Sequence, residues 1–123
     1  MKSDFIHIIL YGSPQSTNNL YRSHCRFGFP SVYMSAKGKA LKEDYQWQIK
    51  SQYKGKLIIG EVFMEVNLFF GTKRKQDIDN FSKILNDALT GLVVVDDSQI
   101  QELHLKKNYD KLNPRIELKV YEM

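Results

Sequence analysis

Four aspartates in two close pairs are the residues of this sequence best suited to chemistry. Asp77 and Asp79 stand in the run KRKQDIDNFSKILNDALTG, and Asp96 and Asp97 directly follow LVVV. Hard divalent cations such as Mg²⁺ bind one or two carboxylates and complete their shell with water and phosphate oxygens. The basic residues 73–75 precede the first pair and could hold neighbouring phosphates. The combination indicates a metal site that faces the phosphate backbone of a polyanion.

A helix expected from about Asn80 to Thr90 would position the first pair. Its apolar residues follow the i, i+3, i+4 pattern of one buried stripe: Phe81, Ile84, Leu85, Ala88 and Leu89. On a helical wheel, Asp79 and Lys83 share the face opposite that stripe. If the segment entering the helix is extended, the side chain of Asp77 points the same way as that of Asp79. One short element would then present two carboxylates and an ammonium to one volume.

Each of these features also has an ordinary structural interpretation. Acidic residues are favoured in the first turn of any helix, and Asp79 with Lys83 is a common i, i+4 pair. Asp96 and Asp97 are typical of a polar turn that ends a strand, and a basic run is typical of a solvated loop. The metal site is favoured because carboxylates at a helix start, carboxylates after a buried run and an adjacent basic run occur together.

The remaining pattern predicts an α+β fold, with a small mixed β-sheet packed against two helices. The predicted elements are a strand at 4–11, a long loop or irregular arm at 13–31, a helix at about 36–53 with Ser35 as N-cap, a strictly alternating strand at 61–70 and two alternating segments around the turn 110–114. We expect the 61–70 strand at the centre of the sheet and the last two strands as an antiparallel hairpin.

Size and composition set the broad class. A chain of 123 residues and 14.4 kDa fits one domain, 1–123. With 18 Lys and Arg against 14 Asp and Glu, the net charge of +4 favours polyanionic partners. Cys25 is the only cysteine, which excludes an intramolecular disulfide and fits a reducing cytoplasm. The N-terminus lacks the character of a signal peptide, and no apolar run is long enough for a membrane helix.

The motifs resemble those of the RusA-type Holliday junction resolvases. That family has a basic stretch, Asp-x-Asp-Asn-x-x-Lys at the start of a helix, and a later Asp-Asp-x-x-[Val/Ile], which match KRKQDIDNFSKILNDAL and VVVDDSQI. Upstream, SPQSTNNLYR is similar to the arm of the family and MSAKGKALKEDY to its helix entry. The resemblance covers nearly the whole chain, and its most specific part is the segment from Asp77 to Asp97.

The resemblance implies a Mg²⁺-dependent endonuclease, with Mn²⁺ able to substitute, that acts as a homodimer and nicks opposed strands of a four-way DNA junction. Three acids match the metal-binding acids of the family, Asp77, Asp79 and Asp97, and Lys83 matches its essential lysine. Asp96 remains open as a further ligand or a neighbour of one. The implied DNA contacts are Lys73, Arg74, Lys75, Asn80, Arg22 and Asn19. Gln76 stands where many relatives have another basic residue. A bacterial or phage origin is also implied.

Three alternatives stay open from the sequence. The chain could be a metal-dependent nuclease that prefers forks or flaps to four-way junctions. It could be a DNA-binding module without catalysis, whose acids only cap helices. It could also be a basic protein–protein adaptor, and steep salt dependence would distinguish phosphate binding from that role.

Overall fold

The computed structural model describes residues 5–73, 75 and 77–123, and at His24, Arg26, Pro30 and Asp79 it describes the backbone alone. The strands are β1 (Ile6–Tyr11), β2 (Tyr21–Arg26), β3 (Phe29–Met34), β4 (Val62–Phe70), β5 (Ile100–Tyr109) and β6 (Arg115–Glu122). The α-helices are α1 (Thr17–Leu20), α2 (Ala36–Gln52) and α3 (Lys83–Leu89), and two 3₁₀ turns cover Ile78–Phe81 and Asp97–Gln99.

The main sheet has four strands in the order β1-β6-β4-β5. β4 lies inside the sheet, as predicted, and its residues alternate between buried and half-buried. It pairs antiparallel with β6 and parallel with β5, so the sheet is mixed. These strands and the helices confirm the predicted α+β class.

The predicted hairpin of the last two strands is wrong. β6 does not pair with β5 but lies between β1 and β4. Three buried residues of β6, Ile116, Leu118 and Val120, explain this position, because an inner strand buries more apolar surface than an edge strand. β5 stays at the edge, where Leu103 and Leu105 are only half-buried.

One face of the sheet carries the hydrophobic core. Buried residues of α2, Tyr45 and Ile49, and of α3, Ile84 and Leu85, join the alternating residues of β4 in one apolar cluster. Two glutamines of α2 also form hydrogen bonds with backbone groups on the edge of β1 that faces away from β6. The Gln52 side chain exchanges hydrogen bonds of 2.7 and 2.6 Å with the backbone of Ile9, which blocks this edge from pairing with another chain.

The segment predicted as an irregular arm is largely regular. It contains α1 and then a β2–β3 hairpin whose register pairs Tyr21 with Met34 and Arg26 with Phe29. Every described side chain from 22 to 33 is exposed, so the alternation of this segment does not separate buried from exposed residues. The prediction of an irregular arm was wrong for this reason. Among the described helices, none has the length and apolar character needed to cross a membrane.

The predicted helix at 80–90 begins differently from the expectation. The chain first forms the 3₁₀ turn Ile78–Phe81 and then passes through Ser82 into α3. The following LVVV run forms a turn with isolated bridges, in which Val94 is bridged to Ile58, and does not form a strand. Val93 and Val94 are buried, whereas Val95 is half exposed.

Candidate active site

Asp77 lies where the chain leaves β4 and enters the 3₁₀ turn Ile78–Phe81. Its backbone is extended, and although it holds the N-cap position, its side chain makes no capping hydrogen bond. The carboxylate is exposed. Phe81 fixes the turn, because its buried ring packs edge-on against Phe70, with the centroids 5.2 Å apart. This carboxylate is therefore presented to solvent by an anchored turn and is not used to cap it.

Lys83 begins α3 and is exposed, as the helical wheel predicts. Its Nζ lies 4.8 Å from the ring centroid of Tyr21, within the range of a cation–π interaction. The Tyr21 hydroxyl donates a short hydrogen bond to Oδ2 of Asp87. Burial and this carboxylate together raise the pKa of Tyr21, so the phenol stays protonated and neutral.

Sequence reasoning missed Tyr21 and Asp87. The only signal available for Asp87 was its i, i+4 spacing from Lys83, which puts both side chains on one face of a helix. No spacing rule could have linked Tyr21 to them, since its bond to Asp87 spans 66 residues. Together the three residues join the base of the β2–β3 hairpin to the exposed face of α3.

The predicted DNA contacts occupy the same end of the sheet. Lys73 is exposed, with its Nζ 5.1 Å from the Tyr109 ring centroid, and Lys75 is exposed as well. Asn80 is tied to α1, because its carbonyl accepts a hydrogen bond of 2.6 Å from the Thr17 hydroxyl. Arg74, also predicted, lies outside the described residues.

A polar depression connects α1 with the end of β4. Residues with polar side chains line it, namely Ser13, Gln15, Ser16, Asn19 and Thr72. Asn19 is exposed within it, and Arg22 is exposed at the start of the neighbouring hairpin. The described residues predicted to contact DNA therefore flank the surface that presents Asp77.

Asp96 and Asp97 have different surroundings although they are adjacent. Asp96 is the N-cap of the turn Asp97–Gln99, and its Oδ2 accepts a hydrogen bond of 3.0 Å from the backbone N–H of Ser98. The Ser98 side chain and backbone hold the pKa of Asp96 below its usual range. Gln99 completes a capping box by accepting from the Asp96 backbone N–H at 2.9 Å. Asp97 follows in the first turn and is exposed.

The topology separates Asp77 from Asp97 within one chain. Asp77 follows the carboxyl end of β4, where Phe81 contacts Phe70. Asp97 precedes β5, whose first residue, Ile100, pairs with the first residue of β4. Within one chain the two acids therefore lie at opposite ends of β4, whose nine residues span roughly 26 Å.

The described residues fit a hard divalent cation by donor chemistry, because Asp77 and Asp97 offer exposed carboxylate oxygens. Among the described side chains, no three of His, Cys, Asp or Glu are grouped closely enough to hold a metal ion. The side chain of Asp79, the other predicted ligand, lies outside the described residues. The complete set of Asp77, Asp79 and Asp97 therefore remains a prediction.

Comparison with known proteins identifies the family. The family model for the endodeoxyribonuclease RusA matches residues 12–121. The chain belongs to the RusA endodeoxyribonuclease family. This confirms the resemblance seen in the motifs, and it makes this RusA-family chain a relative of structure-selective nucleases.

Two relatives of this RusA-family chain are informative. The crossover junction endodeoxyribonuclease RusA of Aquifex aeolicus is 32% identical over 75 residues, which is 60% of each chain. An uncharacterised protein of Bacillus subtilis, YqaN, is 30% identical, and the match covers 98% of each chain. The chain thus matches a little over half of the Aquifex protein and nearly all of the Bacillus protein.

Proposed function

We propose that this protein is a divalent-metal-dependent endonuclease that resolves four-way DNA junctions by paired nicking of opposed strands. The observation that carries the proposal is the exposed carboxylate of Asp77, which an anchored turn presents without a capping bond. The family match over residues 12–121 supports one nuclease domain along the chain. The name of the Aquifex relative supports junction DNA as the substrate.

The acids and the lysine have separate roles in this proposal. Asp77, Asp79 and Asp97 would hold Mg²⁺ or Mn²⁺, which when bound supplies an activated water and neutralises charge on the attacked phosphate. Asp96 maintains the turn that carries Asp97. Lys83 would place its ammonium beside the scissile phosphate, where positive charge stabilises the transition state.

Tyr21 supports that role of Lys83. Its ring lies under the ammonium and its hydroxyl is bonded to Asp87, so it limits where the lysine side chain can point. The raised pKa keeps the phenol neutral, and no phenolate faces the phosphate. Asp87 is bonded to the tyrosine hydroxyl.

The protein is proposed to act as a homodimer, and the topology supports this. Because Asp77 and Asp97 lie at opposite ends of β4, a single chain does not bring them to one cation. In a two-fold symmetric dimer, Asp97 of one copy could lie beside Asp77 of the other, and two identical sites would result. Two such sites match the approximate two-fold symmetry of a four-way junction.

The test is nicking of a synthetic four-way junction with labelled strands, by the wild type and by Asp79→Asn. Wild type is expected to cut opposed strands with Mg²⁺ or Mn²⁺ and to stop in EDTA. Asp79→Asn is expected to bind the junction without cutting it, because the change removes a ligand charge but keeps the shape of the side chain. Lys83→Ala should bind but cut more slowly.

Other outcomes would select a different function. Equal cutting of flaps, forks and junctions would indicate a broader nuclease of branched DNA. Binding by both proteins without cutting in any divalent metal would indicate a DNA-binding module. Binding that does not weaken as salt rises would argue against phosphate recognition altogether.

A further inference from the structure

The β2–β3 hairpin stands out from the surface beside the candidate active site. Its strands are joined by the two-residue turn Phe27–Gly28, and all described side chains from 22 to 33 are exposed. Isolated two-stranded hairpins are only marginally stable in water. An element of this kind is expected to be covered by a partner when the protein acts.

The tip of the hairpin has an unusual residue in its turn. Phe27 has a φ of 55° and Gly28 a φ of 78°, so both central residues are left-handed, as in a type I′ turn. Asn, Asp or Gly is usual at the first of these positions, and a bulky side chain there strains the backbone. The Phe27 side chain is 87% exposed, so packing in the core does not account for a phenylalanine at this place.

The charge of this region indicates a polyanionic partner. Residues 5–42 contain five Lys and Arg and no Asp or Glu, although the whole chain has a net charge of only +4. On one face of the hairpin, Arg22 pairs with Tyr33, and Phe29 lies on the same face, four residues before Tyr33. A basic side chain and aromatic side chains on one face suit nucleic acid, whose bases stack on aromatic rings. Two copies joined through this hairpin would bring like charges together.

The base of the hairpin is fixed to the candidate site. Leu20 is buried, and its carbonyl accepts hydrogen bonds from the Ser35 N–H and hydroxyl at 2.8 and 3.0 Å. A Cβ at Gly38 would lie 2.4 Å from the same carbonyl, so only glycine allows this approach. Tyr21 then links the hairpin to Asp87 and Lys83. The six residues of β2 carry the tip about 17 Å from that link.

We propose that Phe27 is a wedge that stacks on an unpaired or unstacked base at the branch point of a DNA junction. Bases in a continuous duplex are already stacked and paired, whereas those at a branch point are available to an inserted aromatic ring. The wedge would select branched DNA and align its backbone with Asp77. The inference rests on the proposed function, because it takes branched DNA as the ligand.

The experiment measures binding without divalent metal, so it does not depend on nicking. The probes are a four-way junction with 2-aminopurine at the branch point and a linear duplex that carries the same base. Phe27→Asn removes the ring but suits the left-handed turn, Phe27→Gly is a second ring-free variant, and Phe27→Trp keeps an aromatic ring. Trp47→Gln, which removes an exposed aromatic side chain from α2, is the matched control.

Wild type, Phe27→Trp and Trp47→Gln are expected to change the fluorescence of the branch-point base. The two ring-free variants should lose that change and bind the junction about tenfold more weakly, with unchanged affinity for the duplex. Junction binding equal to wild type in these variants would overturn the inference and leave the proposed function intact. Equal losses of affinity for the junction and for the duplex would also overturn the inference. So would a changed oligomeric state in sedimentation together with unchanged junction binding. A wild type that binds no junction would overturn both proposals.

Discussion

The two turns that carry the candidate acids lie at opposite ends of β4 and are built differently. The turn at Asp77 is anchored by a buried ring, and its N-cap carboxylate makes no capping hydrogen bond. The turn at Asp97 is closed by a capping box, in which the Asp96 carboxylate is bonded to Ser98. An N-cap aspartate thus serves the fold at Asp96 and remains available for chemistry at Asp77, while Asp97 stays exposed beside the capped turn.

The largest expected effect is the loss of nicking in Asp77→Asn. Because this carboxylate makes no capping bond, the substitution should leave the unfolding free energy unchanged. Nicking of the junction should fall about 10³-fold, since a metal ligand is removed. The measurements are single-turnover nicking and urea unfolding. A loss of stability that matches the loss of activity would show that Asp77 supports the turn after all.

A mixture of Asp77→Asn and Asp97→Asn proteins tests whether Asp77 of one copy and Asp97 of another form one site across a dimer. Each variant alone should be inactive. If the acids of one site come from two copies, a mixed dimer has one intact site and one with both changes, so the mixture should nick one strand per junction. Labelled strands in a nicking gel report this outcome. Continued inactivity of a mixture that forms mixed dimers would contradict the shared site.

A smaller effect is expected from Tyr21→Phe, which tests the contacts that Tyr21 makes with Asp87 and Lys83. The change removes the hydrogen bond to Asp87 but keeps the ring beside Lys83. Stability should fall by about 1 kcal/mol, and nicking should fall only several-fold because the ammonium keeps its place. A double-mutant cycle with Asp87→Asn measures the coupling. Additive effects in that cycle would show that the bond contributes nothing.

The smallest expected effect concerns the acid sensitivity of the Asp96 turn. The pKa of Asp96 is lowered in the folded protein by Ser98. The stability that it contributes is therefore complete above the ordinary pKa, near 3.9, and is lost as pH falls through the folded value. Asp96→Asn keeps an acceptor but cannot titrate, so its stability should fall less between pH 5 and about 2. Urea unfolding across this range is the measurement, and identical pH profiles would contradict it.

Much of the fold could be predicted from local patterns. The alternation of β4 identified an inner strand, and Ser35 with the four-residue spacing from Tyr45 to Ile49 located α2. Strand pairing could not be predicted in the same way. The choice between a β5–β6 hairpin and the insertion of β6 beside β4 depends on the apolar surface that each arrangement buries. The residue pattern within either strand does not determine that surface.

The candidate site was predictable to a different extent. Residue type and spacing selected Asp77 and Lys83 as candidates, and the structure shows both as exposed, while their roles stay predictions. The opposite placement of Asp97 could not be read from spacing, because it follows from the return of the chain through α3. The link between Tyr21 and Asp87 is a tertiary contact between distant segments, for which the sequence carries no periodic signal.

The insertion of β6 between β1 and β4 has a consequence for synthesis of the chain. β1 ends at Tyr11, whereas β6, which pairs with it in the main sheet, begins at Arg115 and is synthesised much later. At the usual rate of translation, β1 must wait on the order of ten seconds with its pairing groups open. During this interval Gln48 and Gln52 of α2 are available to cover one edge of β1. The helix that later packs on the finished sheet could thus protect its first strand before the sheet exists.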